Sequence, residues 1–305
     1  MPKKELKNRI KSDFAAKLKD FVQMLKEQVS TDDGQWKIKG FIDTLKNIYT
    51  LDSDTKIISK ILELHLMPLL IDFADSIGYN LVYAEHQNYY PDLSFINRKD
   101  ENIKFAVDIK TTFRKPGKPN LVSGFTLGSH GTYFRNRESS KNIQYPYNSY
   151  LAHYCLGIIY TRSEDVVDGK IQEGTKDNLN PTKQLNDKQA YCAVSIDRLD
   201  TIISVIQDFT FFVNEKWQIA SDKHGSGNTA NIGSIKKIDD IINGRDVFAE
   251  LGEAWFDEYW MNYGTLTRIV DGKADVVKNI KDFIEFKSGN MPKYNKRKKK
   301  ETPKK

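Results

Sequence analysis

The stretch Phe105-Ala-Val-Asp-Ile-Lys-Thr-Thr112 decides the fold of this chain. Its apolar and β-branched residues predict a strand. Side chains two positions apart share one face of a strand, so Asp108 and Lys110 project together while Val107 and Ile109 face the opposite side. The strand therefore places a carboxylate beside an ammonium on one face of a sheet.

An Asp-x-Lys pair is a weak indication of chemistry by itself, because in most proteins it forms a simple salt bridge. The informative neighbour is Asp92, which follows Pro91 and lies sixteen residues before Asp108. Turn residues over 97–100 predict a hairpin that returns Asp92 to Asp108. The bare Asp-x-Lys spacing recurs at Asp54/Lys56, Asp168/Lys170 and Asp271/Lys273, twice with a central glycine typical of turns.

Two carboxylates at one end of a sheet repel each other unless a cation lies between them. A hard divalent ion with oxygen ligands, such as Mg²⁺, suits that pair. Lys110 then has a chemical role, since its charge can stabilise a developing phosphorane or help to ionise an attacking water. The pattern Pro-Asp…Asp-x-Lys resembles the signature of the PD-(D/E)XK nucleases.

Glu63 is a third carboxylate, on a predicted helix whose apolar stripe includes Leu70 and Ala74. Its spacing alone favours a glutamate at the helix border, paired with Lys60 or Lys56. The residues by themselves therefore do not assign Glu63 to the site.

The rest of the chain alternates helical and strand patterns. Apolar spacings of three and four predict a helix from Glu5 to Val29, and a second helix, capped by Ser53 or Asp54, runs to Ile77 with a kink or break at Pro68. This order favours an α/β fold with a mixed central sheet flanked by helices. Other predicted elements are strands at Trp36–Phe41, Leu81–Ala84, Asp92–Ile96, Ile103–Phe113, Phe125–Leu127, Cys155–Tyr160, Phe209–Val213 and Trp217–Ala220, a polar loop at Ser163–Lys188, and helices at Ala249–Asn262 and Val276–Phe286.

Composition indicates a globular protein, with 39% of the 305 residues hydrophobic and 29% charged. No apolar run approaches the ~18 residues of a membrane span, and the charged first residues lack the apolar stretch of a signal peptide. Cys155 and Cys192 have no ligand-like spacing. These features predict a reduced, cytoplasmic protein without a membrane segment.

The net charge of +6 is concentrated at the C-terminus. Lys293–Lys305 holds eight Lys or Arg and one Glu, a net +7, which leaves −1 for the rest of the chain. Such a tail is expected to be disordered, and it either binds polyanions loosely or serves as a solubilising segment. The folded part must therefore bind any nucleic acid through the pattern of its charges.

Several collinear segments resemble the EcoRV family of type II restriction endonucleases, within the PD-(D/E)XK superfamily. The similarity is weak before Asp52, across Ser163–Leu199 and after Gly264. It implies one restriction-endonuclease-like domain over 1–290, with 1–52 as its dimerisation part, and a basic tail over 291–305. The matching segments are Ser53–Glu63, Gln87–Asp92, Val107–Thr112, Phe125–Gly128, Lys141–Pro146, Tyr160–Arg162, Lys216–Ala220 and Gly225–Ser234.

The resemblance also implies roles in a reaction. Asp92 and Asp108 would bind the metal ion, with the Ile109 carbonyl assisting, and Lys110 would be the catalytic lysine. Glu63 matches the family's auxiliary acidic residue, which takes part at the metal and in catalysis, and this replaces the assignment from spacing. The implied cofactor is Mg²⁺.

Two loops would contact DNA. The loop at 225–229 matches the family's major-groove recognition loop, with glycines that let backbone groups reach base edges and an asparagine that suits adenine. A tight surface turn or an anion nest is the alternative that the residues alone leave open. The second loop, His86–Asn88, matches the family's glutamine-rich loop near the minor groove. His86 stands where the family has a glutamine. The implied DNA contacts are Gln87, Asn88, Thr111, Thr112, Gly225, Ser226, Gly227, Asn228 and Thr229.

The implied function is site-specific hydrolysis of double-stranded DNA by a homodimer, at GATATC with a blunt central cut, alongside a functionally paired DNA methyltransferase. The N-terminal helix and the strand near Trp36–Phe41 are the candidate dimer elements, because their apolar faces have no other predicted partner.

Three other classes stay open: a PD-(D/E)XK nuclease of other specificity or with a repair role, a non-catalytic DNA-binding protein, and a basic-tailed structural or RNA-binding protein. The recognition loop disfavours the first, and intact Asp92, Asp108 and Lys110 disfavour the second. The third lacks an aromatic RNA-binding run. The pattern G-x-x-x-x-G-K-[ST] is absent, which disfavours ATP or GTP as a ligand.

Overall fold

The structure, a computed structural model, describes residues 3–86, 88–163, 180–184, 190–225, 230–270 and 272–288. Its helices are α1 (Lys3–Val29), α2 (Thr55–Ser76), α3 (Thr132–Arg135), α4 (Ile238–Asn243), α5 (Val247–Leu251), α6 (Glu253–Asn262) and α7 (Ile280–Lys287). Its strands are β1 (Gly40–Ile42), β2 (Asn47–Thr50), β3 (Tyr79–Tyr83), β4 (Leu93–Asn97), β5 (Lys104–Lys115), β6 (Lys118–Val122), β7 (Thr126–Ser129), β8 (Ala152–Arg162), β9 (Asn180–Gln184), β10 (Ala190–Ser195), β11 (Ile206–Glu215), β12 (Ala220–His224), β13 (Asn231–Ser234), β14 (Thr267–Val270) and β15 (Lys273–Val276).

The central sheet has the strand order β11-β8-β5-β4-β3, with β6 paired to the end of β5. Strands β5 and β8 run parallel, with Asp108 opposite Cys155, whereas β4 pairs antiparallel with both β5 and β3. The sheet is therefore mixed, as the sequence predicts. Three smaller sheets have the orders β1-β2-β10-β9, β12-β13-β7 and β14-β15.

Helices pack on both faces of the central sheet. On one face, α1 and α2 form an apolar cluster with the sheet, in which Phe14 stacks on Phe105 of β5 with ring centroids 4.0 Å apart. On the other face, Ala106 belongs to a second cluster that includes Trp260 of α6. Strand β5 is thus buried on both sides from Phe105 to Ile109, where four of its five residues are apolar. The predicted α/β fold, a mixed sheet flanked by helices, is confirmed.

Helix α2 begins where the sequence predicts. The Asp54 carboxylate accepts hydrogen bonds from the N–H groups of Lys56 and Ile57, at 2.8 and 3.1 Å, as an N-cap does. Pro68 does not end the helix, which continues to Ser76, so the expectation of a break is wrong. The buried face of α2 packs in the core and stabilises the helix across the missing hydrogen bond.

The N-terminal elements differ from the prediction. Trp36–Phe41 is not one strand, because Trp36 forms an isolated bridge with Ser30 and β1 begins at Gly40. Trp36 is fully buried, and the apolar face of α1 packs in the core. Neither supplies the free apolar face that the sequence suggests. The dimerisation role of 1–52 stays a prediction.

Two further elements are corrected. The predicted strand at Trp217–Ala220 is a turn of 3-10 helix over Lys216–Ile219, stabilised by a capping box that starts at Glu215. The predicted helix at Ala249–Asn262 is divided into α5 and α6 at Gly252, whose φ of 95° is incompatible with a helix.

The C-terminal third holds elements without a clear periodic signal. The helix predicted over Val276–Phe286 begins at Ile280, where the Asn279 side chain caps it, and the β14–β15 hairpin precedes it. Strand β9 lies inside the predicted loop Ser163–Lys188, so that prediction is wrong at 180–184. The rest of the loop after Ser163, like the basic tail, lies outside the described residues.

Candidate active site

The antiparallel pairing of β4 with β5 places Asp92 beside Asp108. Leu93 lies opposite Val107 in that register, so the residue before β4 falls opposite Asp108. The backbone N–H of Ile109 donates to Oδ2 of Asp92 at 2.7 Å, which orients the carboxylate at the end of the strand. The hairpin that the turn residues predict is therefore what joins the two carboxylates.

Lys110 contacts both carboxylates. Its Nζ lies 2.5 Å from Oδ2 of Asp108 and 3.7 Å from Oδ2 of Asp92, and it donates to the Ile109 carbonyl at 3.3 Å. The side chain of Asp108 is 9% exposed, against 22% for Lys110 and 31% for Asp92. Asp108 thus lies innermost, and the site faces solvent through Asp92 and Lys110.

The electrostatics of the site favour a bound cation. Burial and the negative charge of Asp108 raise the pKa of Asp92 to about 7, despite the opposing attraction of Lys110. Burial alone would lower the pKa of Lys110, but the charges of Asp108 and Asp92 outweigh it and raise that pKa. The ionised form of Asp92 is therefore disfavoured beside Asp108, and a cation held by the two carboxylates would favour it.

The available ligand atoms fit the predicted cofactor, Mg²⁺. The side chains of Asp92 and Asp108 and the Ile109 carbonyl all lie around the same Lys110 ammonium. All of these donors are oxygens, and Mg²⁺ is commonly held by one or two carboxylates with water completing its shell. Within the described ranges, no group of three His, Cys, Asp or Glu side chains is placed to hold one metal ion, and the part of Glu63 at the metal stays a prediction.

A cleft of about 550 Å³ opens in front of the carboxylates, and Glu63 lies on its wall together with Asp92 and Lys110. Glu63 projects from α2, where its Oε1 accepts a hydrogen bond from Lys60 Nζ at 2.8 Å. Glu63 therefore forms the ion pair with Lys60 that its spacing favours, and it also lies at the cleft, as the resemblance implies.

Thr111 and Thr112 continue β5 past Lys110 and line the same cleft. The Oγ1 of Thr111 lies 2.5 Å from the Ser59 Oγ, a hydrogen bond that connects α2 to β5. Thr112 is buried, and its hydroxyl donates to the Gly124 carbonyl at 3.4 Å. Their contacts with DNA stay predictions.

The predicted DNA-reading loops are only partly described. The Gly225 N–H donates to the Asn231 carbonyl at 2.9 Å, and a Cβ on Gly225 would lie 2.5 Å from the Thr126 side chain, so the close packing requires glycine. Asn88 and His86 are exposed. The other predicted contacts, Gln87, Ser226, Gly227, Asn228 and Thr229, lie outside the described residues.

Sequence reasoning missed Lys216, a buried lysine near the site. Its Nζ lies 4.9, 5.2 and 5.7 Å from the ring centres of Tyr90, Phe134 and Tyr147, and it has no hydrogen-bond partner within the described part of the chain. Burial lowers the pKa of Lys216 to about 7. A lysine just after an apolar strand gives no signal of burial, because most such residues face solvent.

Known proteins match this chain over most of its length. A family model described as restriction endonuclease EcoRV matches residues 32–288. The chain belongs to the EcoRV family of restriction endonucleases. It is 32% identical over 254 residues to the type II restriction enzyme EcoRV of Escherichia coli, across 83% of this chain and 93% of that protein. The solved structure of the NlaIV restriction endonuclease is similar with 12% identity and a TM-score of 0.39, over 73% of this chain and 68% of that one.

Membership of the EcoRV family makes this chain a type II restriction endonuclease, a hydrolase of a restriction system that acts on DNA. The resemblance inferred from the sequence is confirmed. Membership of this family disfavours the two alternatives of a non-catalytic DNA-binding protein and a structural or RNA-binding protein. Separately, none of the helices in the described ranges is both long and apolar enough to cross a membrane.

Proposed function

We propose that this EcoRV-family enzyme hydrolyses both strands of DNA with Mg²⁺, at GATATC and with a blunt central cut. The main support is the convergence of Asp92, Asp108 and Lys110, with Nζ–Oδ2 distances of 2.5 and 3.7 Å. Asp92 and Lys110 both line one open cleft, so a carboxylate that would bind the cation and a separate positive charge face the same space.

Each residue would have its own task. Asp92 and Asp108 would hold the ion, with the Ile109 carbonyl as a further oxygen donor. When bound, Mg²⁺ polarises the scissile phosphate and lowers the pKa of bound water. Lys110 holds its charge where the attacked phosphate becomes more negative. Glu63, whose side chain is 29% exposed at the cleft, would orient water through its free carboxylate oxygen.

The sequence preference rests on the resemblance of Gly225–Ser234 to the family's recognition loop. Asn228 would read adenine, and backbone groups at Gly225 and Gly227 would read the outer G·C pair. Gln87 and Asn88 would lie at the minor groove, while Thr111 and Thr112 contact phosphate or sugar.

The central TA step would be recognised differently. Pyrimidine–purine steps unstack easily, so the duplex bends there at lower cost than at other steps. The enzyme can thus prefer TA without touching its base edges. The same bend would bring the scissile phosphate towards Asp92 and Asp108, which links sequence preference to catalysis.

Digestion of a plasmid of known sequence tests the proposed site. We expect fragment ends that map to the centre of GATATC, without overhangs, and only when Mg²⁺ is present. Two features differ from the family pattern: His86 replaces a glutamine, and the segment around Glu138–Ser140 is two residues longer. Both would change preferences for the bases that flank the site. Ends at another hexamer, or with overhangs, would contradict the proposed specificity. Cleavage that persists in excess chelator would contradict the proposed metal.

A restriction enzyme of this specificity implies a partner activity and a compartment. A functionally paired DNA methyltransferase is expected, because GATATC sites in the host's own DNA need protection. Both proteins would act in the cytoplasm, where that DNA lies.

The proposed enzyme acts as a homodimer, since two strand breaks at a two-fold symmetric site require two active sites related by that axis. Within 1–52, the β1–β2 hairpin exposes Phe41, Ile42 and Leu45 by 56%, 57% and 79%. The apolar face of α1 and Trp36 are buried in the core, so these three side chains are the proposed apolar contact surface within 1–52. A second copy of the chain would cover it.

We expect the mass in solution to be twice the 35.2 kDa of one chain. A Phe41→Glu/Leu45→Glu variant should shift towards monomer, because each glutamate would bury a charge at the contact. Light scattering measures the mass, and supercoiled plasmid distinguishes nicking from double-strand cuts. Ile269→Glu is the matched control, since Ile269 is 56% exposed on β14, outside residues 1–52. A wild-type monomer that makes concerted double-strand cuts would refute the dimer.

A further inference from the structure

Two histidines meet at one end of the β12-β13-β7 sheet. His224 ends β12, and His130 follows the last residue of β7, so they belong to the two outer strands on either side of β13. Their Nε2 atoms are 3.2 Å apart. Outer strands separated by one strand lie about 10 Å apart, so these side chains bridge the sheet above β13.

The direction of this hydrogen bond follows from Arg135. Its guanidinium lies 3.4 Å from Nδ1 of His130 and can only donate, so Nδ1 accepts and the ring proton of His130 lies on Nε2. Nε2 of His130 then donates to Nε2 of His224. Arg135 itself is held by the Tyr263 carbonyl at 2.9 Å. The arrangement is a chain of hydrogen bonds from Arg135 through His130 to His224.

The surroundings keep both rings neutral. Burial, Arg135 and His224 lower the pKa of His130 to about 4, and burial and Lys278 lower the pKa of His224. A proton already lies between the facing nitrogens and a guanidinium lies beside them, so the pair does not suit a metal ion. A hydrogen bond between neutral rings is what the geometry supports.

The pair connects the residue before Gly225 with the segment that hydrogen-bonds to Gly225. His224 directly precedes Gly225, and the backbone N–H of His130 donates to the Ala230 carbonyl at 2.8 Å. The Gly225 N–H in turn donates to the Asn231 carbonyl at 2.9 Å. One histidine thus fixes the residue before Gly225, and the other fixes the strand that pairs with it.

We propose that His130 and His224 are positioning residues for DNA recognition, and that their hydrogen bond sets the place of the Gly225 backbone at the DNA surface. The proposal rests on the proposed function, in which Gly225 reads a base edge. It concerns binding and discrimination rather than the chemical step, because neither histidine lines the cleft of Asp92 and Lys110.

Two variants at one position separate the hydrogen bond from simple packing. His224→Phe keeps an aromatic ring against Tyr263, whose ring centre lies 4.4 Å from that of His224, but removes the acceptor. His224→Gln restores an oxygen near the position of Nε2 that can accept from His130. Thermal unfolding of both variants verifies that the fold is retained.

The first measurement is amide hydrogen exchange of the 220–234 segment in the DNA-free protein. The second is kcat and KM on the site mapped by plasmid digestion and on duplexes that differ from it by one base pair. For His224→Phe we expect exchange to be roughly five- to tenfold faster, the effect of losing about one net hydrogen bond. We also expect a KM raised by a similar factor, reduced discrimination and an unchanged kcat. His224→Gln should stay near wild type.

Each other result overturns the proposal. Unchanged exchange in His224→Phe would mean that the hydrogen bond does not order this segment. Faster exchange with unchanged KM and discrimination would mean that the ordered segment does not position a DNA-reading group. Equal losses in both variants would mean that restoring an acceptor does not restore function, so the hydrogen bond would not be the cause of the effect. Wild-type enzyme that cuts at no defined site would instead refute the proposed function, and the exchange data would still show whether the pair orders the segment.

Discussion

Asp108→Ala should lower the rate of DNA cleavage by several orders of magnitude, and Asp92→Ala should have a comparable effect. Without either carboxylate, one side of the cation position is lost, and the negative phosphate would meet a site with too little positive charge to hold it. We expect substrate binding through the rest of the surface to persist, because most of the affinity for DNA comes from backbone contacts elsewhere.

The two variants should differ in stability. Asp108 is the inner carboxylate, and its loss removes the 2.5 Å ion pair of the half-buried Lys110. Asp92 is more exposed, and burial together with Asp108 raises its pKa to about 7, so its ionised form is disfavoured. Removing Asp92 should therefore cost little stability, whereas Asp108→Ala should lower the melting temperature.

Single-turnover cleavage of the mapped duplex, at saturating Mg²⁺, measures the effect on rate. Asp108→Asn, which preserves volume and a hydrogen-bond acceptor, separates the loss of charge from the loss of packing. Glu101→Ala is the matched control, because Glu101 is an exposed carboxylate in the turn between β4 and β5. Undiminished cutting by Asp108→Ala would remove the proposed mechanism.

The core of the site could be predicted because its determinants are local. A two-residue period places Asp108 and Lys110 on one face, and one short hairpin returns Asp92 to them. These interactions span sixteen residues, and the turn residues between β4 and β5 specify them. The capped start of α2 is equally local, since Asp54 acts on the next turn of chain.

Features that depend on distant residues could not be predicted in this way. The parallel pairing of β5 with β8 joins Asp108 to Cys155, and no turn residue specifies it. The His130–His224 hydrogen bond joins positions 94 residues apart. The continuation of α2 through Pro68 could not be predicted either, because tertiary packing of α2 overrides a strong local tendency to break the helix.

Lys110→Met should retain DNA binding and lose turnover, by roughly a hundredfold or more. Methionine fills nearly the same volume without the charge, so the change isolates the ammonium. That ammonium lies 2.5 Å from Asp108 and 3.7 Å from Asp92, the two groups proposed to hold the ion. If Asp92 and Asp108 held a cation, these pairs would be weaker, and Lys110 would be free to face the phosphate from the cleft wall.

The same reasoning predicts how the variant responds to metal. Without Lys110, the two adjacent carboxylates have lost their nearest positive charge, so Mg²⁺ should raise the melting temperature of Lys110→Met more than that of wild type. Lys104→Met is the matched control, because Lys104 lies on the same strand β5 outside the cleft residues. Binding of the mapped duplex and single-turnover rates are measured for all three proteins. If binding and rate fell by equal factors, Lys110 would be a phosphate clamp, because a charge that acts mainly in the transition state lowers the rate far more than the affinity.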